Sequence, residues 1–423
     1  MDITRIQMAF SPANAITDPE LFVGRRDEVL NGMRALTNPG SFLAIYGLRG
    51  VGKTSMAQQL QLIAEGHETL PQVLHLEKYA PRRGFRFLTQ YIRCDTSLQT
   101  TNDLLRRMMF GEDIGSSLFG FTKSGDRRLD SIKKVVQAEG SAEISAPIFG
   151  ARIGGGGGRE EMYKTYVSDS LVQQFKKLLS MVRKDNQGRD GLLLIIDEFD
   201  IFPDKAGFAS IVKTATSDFV KFAVVGIASS VTELLKGHAS IGRSIEAIKI
   251  GRMTPFELID ILNNAEYRVG QGVLFTEPAK NFIINLAEGF PYFVHLVGRE
   301  AMILAFERNV DLVDVKLIEE VNERITGGRL PTIYEDVYYG VVRHSPEREV
   351  LLKLLAETPE NEIFIDDVCK TAQDMGIPNP YDLIGELTSV SLDDPVLVKV
   401  RGRYIHFSDP VFKVYARLRN WEL

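Results

Sequence analysis

Phe42-Leu43-Ala44-Ile45-Tyr46-Gly47-Leu48-Arg49-Gly50-Val51-Gly52-Lys53-Thr54-Ser55 is the stretch on which the reading of this chain turns. An apolar run, a glycine-spaced loop and then Met56-Ala57-Gln58-Gln59-Leu60 read as strand, loop and helix. Gly47 to Thr54 fits the G-x-x-x-x-G-K-[ST] pattern of a phosphate loop in full. Glycines are needed there because successive backbone N–H groups wrap a phosphate only where side chains stay clear. A helix starting near Lys53 points its positive end at the same phosphate. Gly47, Gly50, Val51, Gly52, Lys53, Thr54 and Ser55 are therefore the expected ATP cradle. Lys53 would neutralise the β- and γ-phosphates, and Thr54 would place its hydroxyl on Mg²⁺.

The second element is Gly191-Leu192-Leu193-Leu194-Ile195-Ile196-Asp197-Glu198. A continuous apolar run suits a strand buried on both faces of a parallel sheet, and acids at its end emerge where such sheets bind ligands. Asp197 is placed to hold magnesium through water, and Glu198 to polarise an attacking water. Asp200 reads as a secondary polar or turn residue. Lys221 to Ala228 reads as a further sheet strand, and if the sheet is ordered as in phosphate-loop ATPases, Ser229-Ser230 at its end bring a hydroxyl beside the γ-phosphate. Arg243, in Ile241-Gly242-Arg243-Ser244, has two readings: a solvent or ion-pair residue, or a finger reaching a neighbouring subunit's nucleotide. Upstream, Val23-Gly24-Arg25 turns into a helix over 25–37, either contacting the adenine side or only capping the domain.

The 423 residues predict two or three domains. A net charge of -6 and a pI near 5.7 exclude a broadly basic nucleic-acid binder, though not a local basic patch. Cys94 and Cys369 form no C-x-x-C pair and imply no disulfide framework. With no signal pattern at the start and no apolar run of membrane-spanning length, a cytoplasmic protein without a membrane partner is expected.

Along the chain, residues 1–20 read as an irregular arm broken by Pro12 and Pro19. Either 72–76 or 86–94 should supply a further sheet strand. Residues 111–160, with glycines at 154–158, read as an insertion, either a disordered linker or a loop ordered by a partner. A helix over 161–183 follows, with Tyr166, Leu171, Phe175, Leu178 and Leu179 on one face. His67 and His75 have no companions at metal-ligand spacing. Thr254-Pro255 starts a helical region with helices near 255–268, 276–288, 291–308 and 314–326. Pro291 there either touches adenine or only starts a helix. Beyond Gly327-Gly328, helices near 345–357, 363–376 and 379–389, a hairpin over 396–407 and a last helix from Asp409-Pro410 suggest a winged helix. Residues 340–423 hold 10 Lys or Arg against 14 Asp or Glu, and the third helix carries Asp382 and Glu386 but no base. Base reading by that helix is disfavoured, while Lys399, Arg401 and Arg403 leave phosphate contact through the wing.

On these residues the chain resembles AAA+ ATPases of the branch that includes the origin-recognition and replication-initiation ATPases. It is also similar to the signal-transduction ATPases with numerous domains. Phe22 to Arg26 resembles that group's adenine-side motif, Gly47 to Thr54 its Walker A and Leu192 to Glu198 its Walker B. Ser230 falls where those families commonly carry Asn, and Arg243 near their finger position. Gly289-Phe290-Pro291 resembles the G-x-P motif of the signalling branch. Arg299, eight residues past that proline, is not given the initiators' lid-arginine role. The resemblance implies an α/β P-loop NTPase with a parallel sheet, a helical lid and a C-terminal winged helix. The expected divisions are an arm over 1–20, an ATPase core over 21–253, a lid over 254–329 and a winged helix over 330–423. It implies Mg²⁺-dependent ATP hydrolysis, a homo-oligomer formed on ATP binding, and a protein partner. A DNA-associated ATPase of replication, transposition or defence is the first alternative, and a scaffold with little turnover the second.

Overall fold

The computed structural model describes residues 3–12, 14–111, 117–123, 171–205, 207–235, 245–326, 333–343, 345–358, 360, 362–388, 395–399 and 402–419. These fall into two units: residues 17–47 with 53–250, and residues 1–16 with 48–52 and 251–423. The chain opens with α1 (Ile3–Ala9), which belongs to the second unit. The first unit runs α2 (Arg26–Thr37), β1 (Phe42–Gly47), α3 (Lys53–Glu65), α4 (Thr69–Val73), β2 (Phe87–Arg93), α5 (Thr101–Phe110) and α6 (Leu171–Asp185). It continues through β3 (Gly191–Asp197), α7 (Phe208–Ala215), β4 (Val220–Ile227), α8 (Val231–Leu234) and β5 (Ile245–Ile250).

The five strands form one parallel sheet in the order β2-β3-β4-β1-β5. Every residue of β3 is buried, as a strand covered on both faces requires. The order sets the site. All five strands point the same way, so β1 and β3 end at one edge of the sheet, with β4 between them. Two strand spacings put those ends about 10 Å apart.

Three sequence expectations change. Residues 72–76 are not a strand: α4 ends at Val73, with Leu70 and Pro71 buried. Pro71 has no N–H to give a sheet ladder but is tolerated in the first turn of a helix. The neighbouring candidate does enter the sheet as β2, paired along its length with β3. The arm is not irregular throughout, because α1 lies wholly before Pro12. Ile6, Ala9 and Phe10 are buried at helical spacing. Proline ends this helix rather than preventing it. Third, part of the expected insertion belongs to the core: Leu118 and Phe119 are buried against α5 and α6, in a short turn capped by Ser117. The glycine run at 154–158 and Tyr166 lie outside the described residues, whereas Phe175, Leu178, Leu179 and Val182 form the buried face of α6.

In the second unit, α9 (Pro255–Arg268), α10 (Glu277–Ala287), α11 (Pro291–Glu307) and α12 (Val315–Thr326) follow the expected helical pattern, and the short strands β6 (Leu274–Phe275) and β7 (Leu312–Val313), which were not expected, pair in parallel between them. Thr254 and Glu257 close a reciprocal cap on α9, so the Thr-Pro start reads as it stands in sequence. α13 (Ile333–Val342), which the sequence reading did not anticipate, precedes α14 (Pro346–Glu357), β8 (Ile363–Phe364), α15 (Ile365–Asp374) and α16 (Pro380–Leu387). The β9 (Leu397–Lys399) and β10 (Tyr404–Phe407) hairpin and α17 (Pro410–Leu418) complete the chain. Antiparallel β8, β10 and β9 make a small sheet flanked by helices. Among the described residues, no helix is long and apolar enough to cross a membrane.

Candidate functional site

Gly47 ends β1 and Lys53 begins α3, so the loop between them has five residues. Gly50 (φ 77°) and Gly52 (φ 95°) stand in the left-handed region, which other residues adopt only at a cost. A Cβ on Gly52 would meet nothing within 4 Å, so that side of the loop is open. Val51 and Ser55 are buried, Lys53 and Thr54 half-buried. No acid occupies the first turn of α3, whose N-terminus carries the positive end of the helix dipole.

The acid pair sits at the end of β3. Asp197 is 2% exposed, and both carboxylate oxygens are engaged. The Tyr91 hydroxyl donates to Oδ2 at 2.6 Å, and the Glu198 backbone N–H donates to Oδ1 at 2.8 Å. Burial, reinforced by the charge of Asp197, pushes the Tyr91 phenol far above its ordinary range, so it stays a donor. Glu198 adopts φ 54° as the chain leaves the strand, and the Phe199 N–H then reaches the Val225 carbonyl at 2.9 Å. Its carboxylate pairs with Arg93, whose Nε and Nη2 lie 3.1 and 3.0 Å away. Arg93 ends β2 in register with Asp197, which is why two strands supply one cluster. Asp200 accepts from the Ile227 N–H at 2.8 Å, tying the turn after β3 to the end of β4. That matches the turn role expected of it.

Tyr91 and Arg93 were not singled out in the sequence. Their signal was there: 86–94 was a candidate strand, and placing it beside β3 puts its polar end against the acids. A cavity of about 720 Å³ opens at this edge, lined in part by Arg93, Thr96, Arg107 and Glu198. Cys94 also lines it, but burial pushes that thiol up to about 12, which removes it as a nucleophile near neutral pH.

The other expected residues are placed as follows. Gly24 (φ 70°) and Arg25 (φ 60°) make the tight turn into α2, and Arg25 is buried with its guanidinium 3.2 Å from Glu28. Val23, beside them, is half-buried. The Ser230 hydroxyl caps α8, accepting from the Glu233 N–H at 3.2 Å. Arg243 lies outside the described residues, as does Arg401. In the second unit, Pro291 occupies the first turn of α11, and Arg299 pairs with Glu300 at 2.8 Å. Loop residues Leu48–Gly52 group with this unit, and Arg49 lies 3.4 Å from Asp409, the cap of α17.

No family model and no curated protein match the chain. Solved structures do align over nearly its whole length. The Thermotoga maritima RuvB Holliday junction branch migration motor is 11% identical, with a TM-score of 0.42, covering 93% of this chain and 94% of its own. Cdc6p from Pyrobaculum aerophilum is 14% identical, with a TM-score of 0.42, covering 99% and 98%. The Aeropyrum pernix Orc1 protein in complex with DNA is 15% identical, with a TM-score of 0.38, covering 94% and 92%. Scores at this level carry no functional argument, which rests instead on the residues and geometry above.

Proposed function

We propose that the chain binds and hydrolyses ATP with Mg²⁺ at the sheet edge shared by β1 and β3, and that nucleotide state governs its assembly with partner proteins. The observation that carries this reading is the strand order. It sets the end of β1, where the glycine loop begins, and the Asp197-Glu198 pair, buried and half-buried, two strands apart on one edge, about 10 Å. The donor set fits the cation, since Thr54 and Asp197 offer oxygens, and Mg²⁺ accepts one or two protein oxygens with phosphate and water completing its shell. When bound, it would neutralise charge developing on the transferred phosphoryl group.

The protein's own residues would do the rest. The loop N–H groups and Lys53 hold the phosphates, and Thr54 and Ser55 begin the helix whose dipole faces them. Tyr91 fixes the rotamer of Asp197 by donating to it. Glu198 takes the proton of the attacking water, and its pairing with Arg93 sets a resting state from which the base must be freed. Val23, Gly24, Arg25 and Pro291 are assigned to the adenine side, Ser230 to the γ-phosphate side, and Arg243 to a neighbouring subunit's nucleotide. We further assign the ATPase core to 21–253, the helical lid to 254–329 and a winged helix to 330–423. The test is Glu198→Gln: ATP binding should persist while turnover is lost. A variant hydrolysing at the parent rate would remove Glu198 from the mechanism.

A second reading, a DNA-associated ATPase, is favoured by one observation. Glu386, one of the two acids on the helix expected to face a groove, is ion-paired to Arg348, so that face is less negative than its sequence suggests. Lys399 and Arg403 on the hairpin would then meet phosphates.

A further inference from the structure

Within the second unit, α15 and α16 pack on each other and share an outward surface. Along α15 and the residue after it, Asp367, Lys370, Thr371, Asp374 and Met375 are all exposed. They recur at helical spacing and form one stripe. Val368, Cys369 and Ala372 are the buried side of the same helix. α16 buries Pro380, Ile384 and Leu387 and exposes Tyr381, Asp382 and Glu386.

Two apolar groups stand out among these charges: Met375 is 56% and Tyr381 51% exposed. The Tyr381 ring is held in place. Its hydroxyl donates to Asp366 Oδ1 at 3.1 Å, and Arg403 of the hairpin pairs with the other oxygen of that carboxylate. One turn further along α16, Gly385 is open, and a Cβ there would meet nothing within 4 Å. Glycine is among the poorest residues for a helix interior. Here it clears the surface beside a fixed aromatic ring.

Charge selects the occupant. The two helices hold five acids and one base, Lys370. Asp366 is paired with Arg403 and Glu386 with Arg348, both from outside these helices. That leaves Asp367, Asp374 and Asp382 against Lys370. A surface of this sign repels a phosphate backbone and attracts a cationic chain. Tyrosine and methionine are enriched at the centres of protein interfaces. A ring already fixed by its hydroxyl loses little freedom when covered.

We propose that the α15–α16 face docks a basic segment of a partner protein. A bulky apolar side chain of that segment sits over Gly385 against Tyr381, and its Lys or Arg side chains meet Asp367, Asp374 and Asp382. This deepens the reading in which the chain assembles with partner proteins and rests on that part of it, not on ATP hydrolysis.

The test is selection from a random peptide library, about 16 residues per member, on the full chain. The selected peptides are then measured by fluorescence polarisation at about 50 and 150 mM salt, with and without Mg²⁺-ATP. They should carry an excess of Lys and Arg with a large apolar residue, and should bind more weakly as salt rises. Gly385→Leu fills the open space with a better helix former, and Asp382→Lys reverses one charge. Each should weaken binding at least about five-fold with the melting temperature unchanged. If Gly385→Leu does not fold, Asp382→Lys decides. Selected peptides without a basic excess, peptides that bind both variants as tightly as the parent, or a library that yields no binder would each overturn the proposal. A random-sequence DNA duplex that binds the parent and is lost in either variant would overturn it in favour of DNA. Variant-sensitive binding of basic peptides by a parent that hydrolyses no ATP would support the docking face while refuting the nucleotide reading.

Discussion

Arg93→Ala should raise the rate of ATP hydrolysis. Nε and Nη2 of Arg93 lie 3.1 and 3.0 Å from the Glu198 carboxylate, so in the resting structure the proposed base is occupied. The Arg93 side chain is 65% exposed and that of Glu198 35%, so solvent screens the pair. Exposed pairs of this kind contribute about 0.2–1 kcal/mol. If that energy must be given up before Glu198 can meet water, its removal multiplies the population of free base by roughly 1.4 to 5. The assay is steady-state phosphate release at saturating Mg²⁺-ATP, parent against variant, from about 50 mM to 1 M salt. The gain should shrink as salt rises, because screening already weakens the parent's pair. The melting temperature should hardly move. A fall in kcat at all salt concentrations would refute the reasoning and make Arg93 an orienting group that Glu198 needs.

Tyr91→Phe removes a donor from a buried carboxylate, so it should lower stability by about 1.5–3 kcal/mol, read as a drop of several degrees in thermal melting; an unchanged melt would mean that water replaces the phenol. Burial disfavours the charged form of the His295 ring and lowers its pKa to about 4. The folded helical unit therefore binds fewer protons than the unfolded chain, which costs it up to about 3 kcal/mol as pH falls from about 6.5 to about 4. Denaturant melts of parent and His295→Gln across that range should show the parent losing stability more steeply, and parallel curves would exclude the ring as the cause. The excess of acids over bases in 340–423, 14 against 10, and the lack of a base on the third helix predict weak DNA binding: at about 150 mM salt the full chain should not select among duplex sequences, and selective binding lost on mutation within 380–388 would make DNA the primary partner.

The parallel sheet was legible because its strands are marked by composition. Leu192–Ile196 has no polar residue, so periodicity and burial agree, and the glycine loop declares the turn after β1. β2 was harder. Phe87–Arg93 carries Thr89, Gln90 and Arg93, and its membership is decided by pairing with β3, a long-range fact that local pattern does not contain. The same gap hid Tyr91 and Arg93 as partners of the acid pair. α1 was missed because its buried residues pack on helices some 250 to 300 positions later, as Phe10 just past its end does on Gly298. The helices over 255–326 were read to within about two residues, since Thr-Pro and Pro starts act locally.

That the loop ending in Lys53 holds a nucleotide is a claim that calorimetric titration of Mg²⁺-ATP into the full chain and into folded Lys53→Ala can decide. The parent should bind one ATP per chain, and the variant, with an unaltered circular dichroism spectrum, should show no measurable heat over the same range. Equal affinity in both, or no binding by the parent, would contradict the claim.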